Sequence, residues 1–286
     1  MRITMIATVI AALLAAAPAP ASASAPNRTL IAAGDIACTG DELFTASRCH
    51  QGETASLTRA LRPDAIALLG DIQYERASLS EFRSGFAMSW GRLAYLRPAP
   101  GNHEYNTPGA SDYYSYFGTR AGPAKRGYYS YDLGAWHIVA LNSNCEAVSC
   151  AADSAQVRWL RADLARNRAR CTLAYWHHPR FSSGENGSYR STAPLVAALE
   201  RDRAELVLTG HDHTYERFAP RAGIRHFVVG TGGRSLHTFR RALPGSQRRL
   251  LAFGVLALTL RPQGYAWRFV DETRTTRDSG TGTCAQ

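Results

Sequence analysis

Short polar groups recur along this chain directly after apolar runs. In order they are Gly34-Asp35, Gly70-Asp71-Ile72-Gln73-Tyr74, Gly101-Asn102-His103-Glu104, His177-His178-Pro179 and Gly210-His211-Asp212-His213. Carboxylate, amide and imidazole donors without a thiol form a hard-to-borderline ligand set, suited to iron, zinc or manganese. One ion needs about four to six such groups, so the surplus indicates two ions sharing a carboxylate. Two ions roughly 3.5–4 Å apart can activate hydroxide and clamp a phosphoryl group for in-line displacement. The chemistry that fits is phosphoester hydrolysis. Taken singly, each group says little. A Gly-Asp pair is an ordinary turn, His211 and His213 could share one face of a strand, and His177-His178 could be a packed strand end. The reading rests on all five in succession.

Such residues need strand ends to hold them, and the hydrophobic patterning supplies these. Strands are expected over Thr29 to Ala33, Ala65 to Leu69, Cys171 to Trp176 and Glu205 to Thr209, each entering one of the polar groups. Ligands of open α/β sheets collect at such ends. A leading glycine permits the sharp turn that aims the next side chain into the cleft. Helices are expected over Glu53 to Leu61, Ser78 to Trp90, Asp153 to Arg166 (N-cap Asp153 or Ser154) and Thr192 to Leu199. Tyr128 to Leu133 and Trp136 to Leu141 read as a hairpin; Arg225 to Val229, Gly254 to Leu260 and Tyr265 to Val270 read as closing strands. The alternation predicts an α/β fold with parallel strands early and antiparallel strands late. Tyr105 to Gly127 and Phe181 to Arg190 read as loops, each after a candidate ligand group.

The order GDIA, GDIQY, GNHE, HHP and GHDH resembles the calcineurin-like metallophosphoesterases, and among them the purple acid phosphatases and their small bacterial secreted relatives. The resemblance spans roughly Leu30 to Val270 and implies a four-layer αββα sandwich of two mixed sheets. Many relatives open with Asp-x-His; here Asp35 is followed by Ile36 and Ala37, and Tyr74 stands where the purple acid phosphatases place a tyrosine. By resemblance, one ion is held by Asp35, Tyr74 and His213, with Asp71 bridging to a second held by Asn102, His177 and His211. The pair implied is Fe(III) with a divalent Fe, Zn or Mn, and a hydroxide on or between the ions attacks phosphorus. His103 is the candidate to contact phosphate or protonate the leaving oxygen. Glu104 and Asp212 are read as orienters of ligating groups. His178 is open between substrate contact and packing. The loop Phe181 to Gly187 lacks the histidine that some purple acid phosphatases carry there. No N-terminal β-sandwich of the larger plant-type enzymes is expected.

Bulk properties set the compartment. Met1-Arg2, the apolar run Ile3 to Ala17 and Ala21-Ser22-Ala23 read as an export signal over residues 1–23, leaving one domain over 24–286. The apolar run is short of the roughly 20 residues that span a bilayer, so a secreted protein without a membrane anchor is expected. Six cysteines then predict three disulfides. Proximity pairs Cys145 with Cys150 and Cys38 with Cys49, leaving Cys171 for Cys284. Net charge is +10, almost all from arginine dispersed along the chain, and no nucleic-acid motif accompanies it. A solvated basic surface that attracts phosphate-bearing substrates is the reading. Arg234, Arg240, Arg241, Arg248 and Arg249 crowd one loop that either guides anions or is solvated; Gly230 to Gly233 either offers N–H groups or is a plain turn. His50, His137, His226 and His237 match no ligand spacing and are read as structural. The functions in play are a phosphomonoesterase, a secreted phosphodiesterase or nuclease on the same scaffold, and an inactive binding protein.

Overall fold

Alternate residues of the first strand face two different cores. Leu30 and Ala32 of β1 (Arg28–Ala33) point inward, while Ile31 and Ala33 pack under helices. That period of two on an all-apolar strand requires cover on both faces, and it recurs in each parallel strand that follows. The computed structural model describes residues 25–123 and 125–285, with positions 1, 3 and 5. The expected export segment otherwise lies outside the described residues.

After β1 come α1 (Gln51–Ala60), β2 (Ala65–Leu69), α2 (Leu79–Ser84), β3 (Leu96–Ala99), α3 (Ser111–Phe117), β4 (Tyr129–Leu133), β5 (Trp136–Ala140) and α4 (Ala155–Arg166). They are followed by β6 (Cys171–Tyr175), α5 (Ala193–Arg201), β7 (Leu206–Thr209), β8 (Tyr215–Phe218), β9 (Arg225–Val229), β10 (Ser246–Leu250), β11 (Gly254–Arg261), β12 (Gly264–Asp271) and β13 (Thr276–Thr283). One sheet runs β13-β12-β11-β1-β2-β3, the other β10-β8-β9-β7-β6-β5-β4. Between them lies a core that joins Leu30, Ala67 and Leu258 to Ile138, Leu173 and Phe227. Helices α1 to α3 cover the first sheet through Leu57, Phe82 and Phe117; α4 and α5 cover the second through Leu160 and Leu199. This is the expected αββα sandwich. β1, β2 and β3 run parallel, as do β5, β6, β7 and β9, so the ends of two parallel sets meet at one edge.

Cys38–Cys49, Cys145–Cys150 and Cys171–Cys284 are all bonded as proximity predicts. No described helix is long and apolar enough to cross a membrane.

Three expectations change. The helix expected over Ser78 to Trp90 begins as read, with Ser78 and Glu81 closing a capping box, but ends before Gly85. The Phe86 N–H donates to Gln73 Oε1 at 2.7 Å instead of continuing the helix, and 3₁₀ turns follow. The stretch Tyr105 to Gly127 contains α3, whose Tyr113 and Phe117 are buried against Phe82 and Phe86. β3, β8, β10 and β13 were not expected from pattern.

His226 on β9 is 3 % exposed, and its Nε2 has no hydrogen-bond partner among the described residues. Burial, with the Arg221 and Arg180 guanidinium groups, pushes it down to about 3. A histidine lowered in the fold leaves the unfolded chain binding more protons below its own pKa of about 6.5, so folding weakens as pH falls from there toward 3. At pH 5 the loss is about 2 kcal/mol. Urea unfolding should therefore show His226→Leu losing less stability than the parent between pH 7 and 5. Equal losses would assign the acid sensitivity elsewhere.

Candidate metal centre

Each polar group follows a strand of the convergent edge: Asp35 after β1, Asp71 after β2, Asn102 after β3, His177 after β6, and His211 with His213 after β7. The glycines act differently from expectation. Of the glycines leading these groups only Gly70 has positive φ (80°), whereas Asp35, Asp71 and His211 themselves sit at φ of 59°, 45° and 71°. Left-handed backbone at non-glycine residues is costly, about 1–3 kcal/mol each, and clusters at functional sites. The glycines instead make room. A Cβ on Gly101 would land on Asp71 Oδ1, one on Gly210 would sit 2.6 Å from Asp35 Oδ2, and one on Gly70 2.7 Å from the His177 ring.

The seven side chains expected to bind metal gather in two sets with one atom in common. In the first, the Tyr74 hydroxyl lies 2.9 Å from Asp35 Oδ1 and 3.0 Å from both Asp71 Oδ2 and His213 Nε2. In the second, His177 Nε2 lies 3.1 Å from Asn102 Oδ1, 3.1 Å from His211 Nδ1 and 3.2 Å from Asp71 Oδ2. Asp71 Oδ2 belongs to both. His103 stands beside them with its ring 4.1 Å from that of Tyr74 and Nε2 3.9 Å from Asp71 Oδ2.

The outer nitrogen of every imidazole in the two sets has a partner. His177 Nδ1 donates to the Leu69 carbonyl at 2.8 Å, which makes Nε2 the nitrogen that faces inward. His213 Nδ1 meets Ser235 Oγ at 2.8 Å and His211 Nε2 meets Tyr189 Oη at 2.9 Å. Such outer contacts fix tautomer and ring orientation in metal sites.

These groups fit a cation. Asp35 and Asp71 are buried, and among the described residues their ion-pair partners are imidazoles only, with no arginine or lysine. Buried carboxylates without a permanent cation are costly. Burial favours the neutral acid at Asp71, yet the His177, His103 and His211 imidazoles outweigh it and hold the carboxyl well below its usual range. Burial and the Asp35 and Asp71 carboxylates push the Tyr74 phenol well above 10. At His177 burial opposes charging but Asp71 prevails, raising it to about 9; burial and its histidine neighbours press His211 down to about 2. Positive charge is needed at the centre, and imidazoles supply it only in part.

The sequence signature of the family described as Calcineurin-like phosphoesterase matches residues 28–215, which end inside the second sheet just past the last of these side chains. The chain belongs to this family. Curated relatives include Purple acid phosphatase 21 of Arabidopsis thaliana, 30% identical over 197 residues that make up 59% of this chain and 44% of that protein. Purple acid phosphatase 15 of Arabidopsis thaliana is 25% identical over 262 residues, covering 76% of this chain and 47% of that protein. The chain thus spans about half the length of the curated relatives it matches. The purple acid phosphatase PPD1 from yellow lupin seeds shares its fold with a TM-score of 0.78 at 18% identity, over 90% of this chain and 53% of that one.

The polar residues around the two sets divide the work of support. Glu104 is buried and accepts the N–H groups of Asp71 (2.9 Å), Ile72 (2.9 Å) and Gly101 (2.6 Å), tying the second polar group to the third as its reading as an orienter implies. Asp212 differs from that reading. Its carboxylate takes the N–H groups of Asn186 (2.7 Å) and Gly187 (3.2 Å) and the Ser182 hydroxyl, so it shapes a loop and touches no imidazole of the centre. That loop delivers Tyr189 to His211. His178 is buried, held by Ser143 on both its backbone N–H and Nδ1 (2.9 Å each), with its ring 4.6 Å from those of His211 and Tyr189.

Several supporting residues escaped the sequence reading. Tyr189 and Ser235 carried no signal beyond their place in loops. Arg234 is not solvated: it lies 5.1 Å from the Tyr74 ring centre and pairs with Glu42 at 2.5 Å and with Glu75. His237 stacks on His213 with ring centres 3.8 Å apart. Among the other histidines, His50 pairs with Glu272, and His137 lies between Asp132 and Asp163, in structural roles as read. The N–H groups of Gly230 and Gly232 are engaged by the Thr214 and Gly34 carbonyls, so these residues form a plain turn.

Proposed function

We propose that this chain is an exported, binuclear metal-dependent phosphomonoesterase. The observation that carries it is the sharing of Asp71 Oδ2, 3.0 Å from the Tyr74 hydroxyl on one side and 3.2 Å from His177 Nε2 on the other. Asp35, Tyr74, His213 and Asp71 would hold one ion, and Asp71, Asn102, His177 and His211 the second. Fe(III) suits the first set, with its phenol and two carboxylates, and a divalent Fe, Zn or Mn the second. When bound, such a pair acidifies water and neutralises charge on the phosphoryl oxygens.

The chain's own residues do the rest. Glu104 fixes the backbone on either side of Asp71, the Leu69 carbonyl sets the His177 tautomer, and Ser235 and Tyr189 hold the rings of His213 and His211. His103 Nδ1 donates to the Glu75 carbonyl at 2.5 Å, so Nε2 is the nitrogen turned toward the centre. Partly exposed there, it is placed to hold a phosphate oxygen or to pass a proton to the leaving oxygen. The three disulfides support export, since such bonds persist in oxidising compartments.

Hydrolysis of p-nitrophenyl phosphate and bis(p-nitrophenyl) phosphate by the metal-loaded protein tests the reading. The monoester should be preferred by at least ~10-fold in kcat/KM, about 1.4 kcal/mol of discrimination. A preference for the diester would turn the assignment to a phosphodiesterase, and no turnover of either with both ions bound would leave a binding protein.

A further inference from the structure

A cleft of about 410 Å³ opens beside the second set of side chains, with Asn102 among its lining residues. Tyr105, His178 and Tyr189 line it, together with Asn144 and the disulfide-closed loop that carries Ala147. We propose that this cleft is the leaving-group subsite and that it takes an uncharged leaving group bearing a planar aromatic ring, of about the size of a nucleoside. The proposal rests on the phosphatase reading, because it is the position of Asn102 that makes this space adjacent to the scissile bond.

Three observations define the occupant. Size comes first: the volume lies within the roughly 300–1,000 Å³ of small-molecule pockets, so a three-carbon ester would leave most of it empty. A second cavity of about 550 Å³, which Lys125 also lines, lies on the other side of Tyr105 and Ala147. Charge comes second. Among the described residues, the cleft itself is lined by one ionic residue, Glu146, and by no arginine or lysine, although the chain carries a net charge of +10. A further phosphate or carboxylate would have no partner among these residues.

The third observation is the fixed aromatic surface. The Tyr189 hydroxyl is held at 2.9 Å from His211 Nε2, and its ring lies against His178. The Tyr105 hydroxyl accepts from Asn142 Nδ2 at 2.7 Å. Two tyrosines with their hydroxyls engaged present rigid ring faces at little entropic cost, and aromatic stacking is indifferent to which base or aryl ring it receives. Asn144 Nδ2 is engaged by Pro100 O at 3.2 Å and Asn142 Oδ1 at 3.0 Å, so its Oδ1 is left to accept from a sugar hydroxyl.

The test compares kcat/KM for adenosine 5′-monophosphate and glycerol 3-phosphate on the full, metal-loaded chain and on Ala147→Trp and Tyr105→Ala. Ala147 is exposed on the cleft wall, so a tryptophan there fills the space without entering the core. The parent should prefer the nucleotide by about 10-fold or more, as expected for one stacked base. Both variants should reduce that preference to below about 3-fold, chiefly through KM for the nucleotide. A parent without preference, or variants that keep it, would overturn the subsite. Saturation-transfer NMR with adenosine, which carries no phosphate, separates this from the phosphatase reading. If neither ester is hydrolysed, the phosphatase reading fails, and adenosine signal present in the parent and lost in Ala147→Trp would still uphold the cleft as a nucleoside site. No adenosine signal in the parent would remove it.

Discussion

Replacing Asp71 with alanine is expected to lower kcat/KM for a phosphomonoester by more than ~100-fold and to reduce bound metal from two ions per chain to one or none. Outer-sphere partners of metal ligands typically cost about 10- to 100-fold when removed, and a carboxylate oxygen shared by both sets should exceed that. The geometry behind this is the single atom Asp71 Oδ2, near both the Tyr74 hydroxyl and His177 Nε2. The same carboxylate also accepts the His103 N–H through Oδ1 at 2.9 Å, so its loss loosens the group expected to meet substrate. Elemental analysis alongside kinetics checks the outcome. A variant that keeps two ions and most of its turnover would show that Asp71 does not bridge.

Glu104→Ala should produce the largest loss of stability among single changes near the site. The buried N–H groups of Asp71, Ile72 and Gly101, and at 3.4 Å that of Gln73, would lose their acceptor at once. An unsatisfied buried donor costs about 1–3 kcal/mol, so a total of about 3 kcal/mol or more is expected. In a domain of this size that lowers Tm by roughly 6–12 °C. Glu104→Gln would do little better, because its amide NH₂ would replace an oxygen that now accepts one or more of these N–H groups. Calorimetry on the metal-free protein isolates the effect from metal binding. A shift of less than about 2 °C would mean that water or a backbone rearrangement takes over these donors.

What could be read in advance, and what could not, follows from where the information lay. The parallel strands β1, β2, β6 and β7 are apolar on both faces and enter polar groups, so type and position were both visible in the sequence. Of the edge strands, β3, β10 and β13 hid while β4 showed in its hairpin. β3 contains Pro98, whose missing N–H is harmless at a sheet edge, and β13 is polar and exposed. Its Gly280 and Gly282 are there because a Cβ would enter the Trp267 and Tyr265 rings, a constraint set by β12 and invisible locally. Helix α2 was overextended because the residue that stops it, Gln73, lies in the second polar group. The seven proposed ligands could be named from pattern and resemblance, and the structure brings all seven together. Of their supports Glu104 could be named as well, but Ser235, Tyr189 and Arg234 could not, because they reach the centre from loops whose course is fixed only by tertiary contacts such as Asp212 with Asn186.

On the proposed assignment, Tyr74 takes the place of an imidazole that Ala37 cannot supply. Three groups already converge on its hydroxyl at 2.9–3.0 Å, two of them carboxylates, and without a cation they disfavour the phenolate. Fe(III) held there, as proposed, would reverse that preference and would supply charge transfer from the ring. The visible absorption spectrum of the iron-loaded protein therefore tests the account most directly, measured for the parent and for Tyr74→Phe, which keeps the ring and removes only the oxygen. The account predicts a visible band in the parent that is absent in the variant. A colourless iron-loaded protein, or a band that survives Tyr74→Phe, would contradict it.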